Sequence, residues 1–107
     1  MKRGDVVCVA LAGDYGKPRP AVVIQSDLFD EHPSVTILPI SSDVRQAPAF
    51  RLDLPSEAST GLRLPSQVMV DKIHTVRRGK VGSVIGRIDE SGMLSINRAL
   101  AVFLGIA

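Results

Sequence analysis

The sequence has almost no cysteine and very few aromatic residues. One of its 107 residues is cysteine, none is tryptophan, and aromatic residues make up 4%. A single cysteine excludes an internal disulfide. Cys8 lies in the apolar segment 6–9, which predicts a small buried thiol without a nucleophilic role. With so few aromatic rings, Val, Ile and Leu must fill the core, and these residues favour a β-sheet.

Long apolar runs and cofactor motifs are also missing. No run approaches the ~18 residues of a membrane span, and the first residues lead into a strand pattern instead of a signal-peptide core. His32 and His74 lie far apart without metal-ligand spacing, and there is no glycine-rich phosphate loop or nucleophile elbow. We therefore expect a cytoplasmic protein that uses no metal or cofactor. If it is an enzyme, it works with Arg, Ser, Asp or His side chains.

Length and charge indicate one domain and suggest two kinds of partner. A chain of 107 residues, 45% of them hydrophobic, predicts a single domain over 1–107 with one compact core. The net charge is +2, divided between −1 for residues 1–54 and +3 for residues 55–107. A positive second half suits nucleic acid or an acidic protein.

Apolar segments between turn signals predict six short strands. Residues 50–54 alternate with period two, which indicates a half-buried strand, and residues 12–16 predict the flexible tip of a hairpin between the first two strands. Pro39 is expected to stop the third strand, and Arg51 and Asp53 are expected to face solvent from the fourth. Gly82 and Gly86 indicate a bend or a close approach in the last strand. The predicted strands are 5–11, 20–25, 35–38, 50–54, 67–70 and 80–88.

The C-terminal segment changes to helical spacing. Asp89 is a suitable N-cap and Gly105 a suitable stop. Short strands with tight connections and one terminal helix predict a small barrel, mainly β, with the helix packed on it. Apolar residues three or four positions apart form one stripe on this helix, made of Met93, Ile96, Leu100 and Phe103, with Leu94 and Leu104 beside them.

Polar residues at three strand ends are candidates for chemistry. Arg19 lies between two prolines, whose rings restrict the backbone and so aim the guanidinium. Ser41 and Ser42 follow the third strand, and Asp71 follows the fifth. Taken singly, each is more often a rim charge, a turn residue or a helix cap. Their possible convergence at one place is what indicates a site.

Six sequence blocks in a fixed order resemble the MazF/PemK/Kid family of toxin endoribonucleases, and the resemblance covers nearly the whole chain. Its more specific parts are Arg-Gly-Asp before the first strand, Arg-Pro before the second, and the turn Pro-x-Ser-Ser after the third. The blocks are KRGDVV (2–7), RPAVVIQSD (19–27), PISS (39–42), VMVDKIHTV (68–76), KVGSVIGRID (80–89) and ALAVFLGI (99–106).

This resemblance implies a small SH3-like barrel, the CcdB/PemK-like toxin fold, and metal-independent cleavage of single-stranded RNA. It also implies a homodimer and a cognate antitoxin whose tail occupies the RNA groove. By position, Arg19 matches the catalytic arginine, Ser41 the catalytic hydroxyl with Ser42 beside it, and Asp71 an acidic residue of some members. A fixed cation and a hydroxyl can stabilise charge developing on a phosphorane. The RNA 2′-OH would be the nucleophile.

Two departures from the family pattern leave the acid–base group open. The segment AGDYGKP before Arg19 lacks the family's Gly-(Ser/His)-Glu-Gln, and Met69 stands where some members have a second arginine. Lys17, His74 or Arg77 could substitute. The candidates for RNA contact are Lys17, Arg51, His74 and Arg77.

Two other functions stay open on sequence grounds. The segment VIQSDLFD (23–30) and the terminal FLGI (103–106) also resemble CcdB-type gyrase poisons, although Leu104 replaces the aromatic residue of that family. The departures above also fit a degenerate relative that binds only antitoxin or RNA.

Overall fold

The computed structural model describes residues 1–11 and 17–107. In this part of the chain the sheet strands are β1 Asp5–Ala10, β2 Pro18–Val23, β3 Ser34–Ser41, β4 Arg51–Leu54, β5 Ser66–Met69, β6 His74–Arg77 and β7 Val81–Arg87. Helix α1 spans Glu90–Leu104, and short 3-10 turns span Asp27–Phe29 and Arg78–Lys80. The prediction of a mainly β protein with a C-terminal helix is confirmed. None of the helices described has the length and apolar character needed to cross a membrane.

The strands form one antiparallel sheet that rolls into a barrel. Its order is β4-β5-β3-β2-β1-β7, and β6 pairs with the first half of β3. The long β3 pairs with β6 up to Ile37 and with β5 from Ile40. The main-chain N–H of Arg87 in β7 donates to the carbonyl of Ser59, in the loop after β4, at 2.8 Å. This bond joins the two ends of the sheet and closes the roll.

Both faces of the sheet are buried, because neighbouring residues of β1, β2 and β3 enter different clusters. One cluster receives the apolar face of α1 through Ile96 and includes Val6, Val22, Leu38, Ile40 and Val68. The other lies under β6 and includes Val7, Val9, Ala21, Val23, Val35 and Ile37. The alternation that predicted strands therefore also divides the core in two.

The prediction that Pro39 stops the third strand is wrong. Ile24 donates to the Thr36 carbonyl, so alternate residues of β3 face β2 and Pro39 faces the opposite edge. On that edge Pro39 falls in the gap between the β6 pairing, which ends at Ile37, and the β5 pairing, which begins at Ile40. At this position β3 needs no N–H for its ladders, so the proline removes no hydrogen bond. Strand β3 therefore continues to Ser41.

Other boundaries and exposures differ from the prediction. Strand β6 was not predicted, because three of its four residues are exposed and only Val76 packs on the core. Strand β2 begins two residues earlier than predicted, so Arg19 lies inside the strand. Cys8 is half-buried, not buried. Arg51 is half-buried as well, whereas Asp53 faces solvent as predicted. The predicted hairpin tip, 12–16, lies outside the described residues.

Local signals in the C-terminal half are confirmed. The Asp89 carboxylate accepts the N–H of Gly92 at 2.7 Å, and Gly105 ends α1 with φ of 75°. Gly86 lies directly against the main chain of Thr60, and Gly82 approaches the carbonyl of Cys8. The predicted apolar stripe is shorter than expected, because Phe103 is 47% exposed.

Candidate active site

A cavity of about 630 Å³ opens where β2 begins and β3 ends. Arg19 of β2, Ser41 and Ser42 at the end of β3, and His74 at the start of β6 all line it. These residues come from three separate parts of the sequence. The cavity is also lined by Arg63, Lys72, Asp43, Met69 and apolar side chains from Leu11, Leu62 and Leu64.

Arg19 and Ser41 lie on neighbouring strands, each two residues beyond the last pair of the β2–β3 ladder. The β2–β3 ladder pairs Val23 with Ile37 and ends at Ala21↔Pro39. If the ladder continued for two more residues, it would pair Arg19 with Ser41, and side chains of cross-strand partners lie on the same face. The β2–β3 ladder ends before that pair, at Ala21, while on the opposite edge of β3 Ser41 pairs with Gln67 of β5.

The two prolines explain why the β2–β3 ladder ends at this point. Because Ile24 donates to Thr36 of β3, the alternate positions Pro20 and Pro18 face β3 as well. Neither proline has an N–H with which to continue that ladder. On the other side, β2 stays paired with β1, with Arg19 opposite Val9. The Pro-Arg-Pro segment therefore ends one ladder, keeps the other, and leaves an open cleft next to an arginine in extended conformation.

The Ser41 hydroxyl belongs to a tight turn. Its Oγ accepts the main-chain N–H of Asp43 at 3.0 Å, which fixes the turn after β3. A hydroxyl that accepts one hydrogen bond still has its own proton to donate. Ser42 is exposed next to it and lines the same cavity. Two hydroxyls are thus available close to Arg19.

His74 has a defined tautomer in its neutral form. Its Nδ1 lies 2.8 Å from the carbonyl oxygen of Lys72, and a carbonyl can only accept, so Nδ1 carries the proton. The other ring nitrogen, Nε2, is then the acceptor. A neutral histidine with Nε2 as acceptor can remove a proton from a hydroxyl group.

The charges around the cavity are mainly positive. Arg19, Arg63 and Lys72 contribute cations. Among the described residues that line the cavity, the one carboxylate, Asp43, binds the guanidinium of Arg45 at 2.8 Å. This balance suits an anionic ligand such as a phosphodiester.

Four predicted site residues do not line this cavity. Asp71 lies next to Lys72, with its Oδ2 3.8 Å from the Lys72 Nζ, and its Oδ1 is buried without a hydrogen-bond partner within residues 1–11 and 17–107. Lys17 is exposed just before β2, and Arg77 is exposed at the far end of β6 from His74. Arg51 bonds the Asp43 carbonyl at 2.9 Å and lines a different, smaller cavity.

Sequence reasoning missed two cations of the site. Arg63 lies in the loop 55–65, which composition marked as a loop and nothing more, and Lys72 lies in the turn between β5 and β6. Both residues contribute to the positive charge of residues 55–107, and Lys72 also lies in the block VMVDKIHTV (68–76), directly after Asp71. Within the part of the chain that the structure describes, no group of three or more His, Cys, Asp or Glu side chains could hold a metal ion.

Comparison with known protein families shows which family this chain belongs to. Residues 2–104 match the model of the PemK-like, MazF-like toxins of type II toxin–antitoxin systems. The chain belongs to this family. It is 44% identical to the probable endoribonuclease MazF of Mycolicibacterium smegmatis over 108 residues, covering 100% of this chain and 99% of the relative. The family identification made from the sequence blocks is therefore confirmed.

Solved structures of MazF toxins have the same fold. The Mycobacterium tuberculosis toxin MazF-mt6 matches with a TM-score of 0.83 at 23% identity, over 96% of this chain and 98% of that one. An endoribonuclease in complex with its cognate antitoxin, from a mycobacterial species, matches with a TM-score of 0.82 at 24% identity, over 100% and 97%. The predicted toxin barrel is confirmed.

Proposed function

We propose that this MazF-like toxin is an endoribonuclease that cleaves single-stranded RNA at the cavity between β2 and β3, without a metal ion. The observation that carries the proposal is the cavity that Arg19, Ser41, Ser42 and His74 line together. The name of the 44% identical relative, a probable endoribonuclease MazF, supports the same activity.

In the proposed reaction, the 2′-OH of the RNA attacks the adjacent phosphorus. The O2′–P bond forms, the P–O5′ bond breaks, the 2′ proton leaves to a base, and the departing 5′ oxygen gains a proton. The products are a 2′,3′-cyclic phosphate and a 5′-OH end. Nothing in this balance requires an oxidant, a metal-bound water or a protein nucleophile.

Each residue of the cavity has a chemical role in this proposal. The planar Arg19 guanidinium offers paired donors to two phosphate oxygens as negative charge develops on them. The Ser41 hydroxyl donates to the same group, with Ser42 as a neighbouring donor. His74 Nε2 accepts the 2′ proton, which makes it the best placed of Lys17, His74 and Arg77 for acid–base chemistry. Arg63 and Lys72 hold the flanking phosphates.

The assembly and surroundings of the protein are part of the same proposal. We infer one domain over 1–107, acting as a homodimer in the cytoplasm and neutralised by a cognate antitoxin. A solved endoribonuclease of the same fold is in complex with its antitoxin. An acidic, partly disordered antitoxin segment that covers the cationic cavity would compete with RNA.

The test compares two oligonucleotides that differ at one atom. Purified protein in excess EDTA should cut an RNA oligonucleotide and leave a 2′,3′-cyclic phosphate, identified by mass spectrometry. The same oligonucleotide with 2′-deoxyribose at the cleaved position should stay intact there. Cleavage of the deoxy oligonucleotide at that position, or activity lost in EDTA and restored by a divalent cation, contradicts the proposal.

A gyrase supercoiling assay on the same preparation tests the CcdB-like alternative. We expect no poisoning of gyrase, because the family model and the named relatives are MazF-like. A protein that binds RNA but cuts none of a random-sequence RNA pool would be the degenerate relative.

A further inference from the structure

Gln67 is a buried polar residue on the strand next to the serine turn. It is 4% exposed and lies in β5, where its ladder partners are Ser41 of β3 and Asp53 of β4. Its Oε1 accepts from the Arg45 N–H at 2.9 Å and from Arg51 Nη1 at 3.4 Å. Its Nε2 donates to the Arg45 carbonyl and to Asp53 Oδ1, each at 2.9 Å. The amide thus uses both of its donors and both of its acceptor positions.

The Arg45 bonds matter because the loop after Ser41 has little else to hold it. Within the described residues, the main-chain groups of 42–46 make no hydrogen bonds to other main-chain groups. The main-chain groups of Asp43 and Arg45 bond to side chains instead. The Asp43 N–H donates to Ser41 Oγ, the Asp43 carbonyl accepts from Arg51, and Gln67 binds both the N–H and the carbonyl of Arg45.

We propose that Gln67 is a positioning residue that holds the Ser41–Asp43 turn at the cavity, assisted by Arg51. This role rests on the proposed ribonuclease function. Gln67 does not line the cavity of Arg19 and His74, so it acts through the loop and not by touching RNA. A turn that moves by ~1 Å carries the Ser41 hydroxyl away from the phosphate, and such misplacement costs about 10²-fold in rate.

Gln67→Glu is the sharpest substitution. It keeps the shape and Oε1, but it replaces both donors by an oxygen that faces the Arg45 carbonyl and the Asp53 carboxylate. We expect the single-turnover rate constant for RNA cleavage to fall by about 10- to 100-fold. The affinity for an uncleavable 2′-deoxy oligonucleotide should be nearly unchanged. Asp53→Asn is the matched control, because it keeps an oxygen acceptor for Gln67 and should cut at the wild-type rate.

A mutant cycle with the double variant Ser41→Ala/Ser42→Ala shows whether the effect passes through the turn. If it does, Gln67→Glu should slow this double variant much less than the wild type, because both hydroxyls to be positioned are already gone. The same factor in both backgrounds overturns the proposal, since a merely destabilised protein behaves that way. If Gln67→Glu does not fold, Arg51→Met decides in the same cycle, because it removes the bond to the Asp43 carbonyl.

The outcomes separate this role from the proposed function. A wild-type protein that cuts no RNA contradicts the ribonuclease function and, with it, the positioning role. A wild type that cuts RNA while Gln67→Glu cuts equally fast overturns the positioning role alone. Weaker binding of the 2′-deoxy oligonucleotide that accounts for the whole loss of rate also overturns it.

Discussion

At the scale of single residues, the site depends on two prolines that lack an N–H. Pro18 and Pro20 end the β2–β3 ladder at Ala21 while β2 stays paired with β1. Because Arg19 lies between these prolines, it lies at the point where the ladder ends and the cleft begins. That Arg19 and Ser41 line one cavity was expected from the polar residues at strand ends and from the family resemblance, whereas the strand register itself is not visible in the sequence alone.

His74 is the proposed general base of the reaction. His74→Ala should therefore lower the single-turnover rate constant for RNA cleavage by about 10²-fold or more, with little change in RNA affinity. His32→Ala is the control, because His32 bonds the Ser34 N–H through its Nδ1 and does not line the cavity. A His74→Ala protein that cuts at the wild-type rate removes the base from the proposed mechanism.

Arg51 is less exposed than the sequence predicted. Alternation placed it on the solvent side of a strand, and its charge made it a candidate for RNA contact. In the structure its guanidinium reaches back to the Asp43 carbonyl and Gln67. That partner set depends on a loop 42–50 whose path has no periodic signal, so the sequence could not indicate it.

At the scale of elements, the sequence predicted every strand except β6. Alternation located β4, apolar segments between turn signals located β1 and β7 to within a few residues, and the caps of α1 were predicted residue by residue. Short, exposed β6 carries no alternation strong enough to detect, although its first residue, His74, belongs to the site. The prediction for Pro39 was wrong because the effect of a proline on a strand depends on which edge its missing N–H would face, and the sequence does not show this.

Two glycines provide a matched test of the barrel's closure. A Cβ at Gly86 would collide with the main chain of Thr60, whereas a Cβ at Gly79 meets nothing within 4 Å. Gly86→Ala should therefore lower the free energy of unfolding by about 1–3 kcal/mol, and Gly79→Ala should change it by less than about 0.5 kcal/mol. Urea denaturation followed by circular dichroism measures both. Equal stability of the two variants would show that the loop does not close on β7 as described.

At the scale of the whole molecule, apolar and cationic surfaces lie in different places. Exposed apolar side chains gather at the C-terminal end of α1, where Val102 is 68% and Ile106 is 77% exposed. The cations Arg19, Arg63 and Lys72 line the cavity between β2 and β3. The first surface suits a second copy of the chain, and the second suits a nucleic acid.

The apolar surface leads to a prediction about assembly. Light scattering at micromolar concentration should give the mass of two chains, and Phe103→Asp should give the mass of one, because a charge buried in an apolar interface is costly. Lys80→Asp, a charge change on the exposed 3-10 turn Arg78–Lys80, serves as the control and should leave the mass at two chains. A wild-type mass of one chain contradicts the homodimer.

The cationic surface leads to a prediction about salt. With Arg19, Arg63 and Lys72 each neutralising one phosphate, the logarithm of the RNA binding constant should fall against the logarithm of salt concentration with a slope of about −2. Fluorescence anisotropy with the 2′-deoxy oligonucleotide gives the slope. Lys72→Gln should make it shallower by about 0.7. A slope near zero would remove the electrostatic basis for RNA binding.

In the proposed reaction Arg19 stabilises the transition state of RNA cleavage, and the single-turnover cleavage rates of Arg19→Ala and Arg19→Lys in EDTA test this role. Loss of one preorganised donor costs about 10²-fold or more, so folded Arg19→Ala should cut at a rate lower by at least that factor. Arg19→Lys should also be slow, because lysine keeps the charge but loses the planar fork. Ser41→Ala should lose less, because Ser42 is adjacent. A folded Arg19→Ala protein that cuts RNA at the wild-type rate would contradict the account.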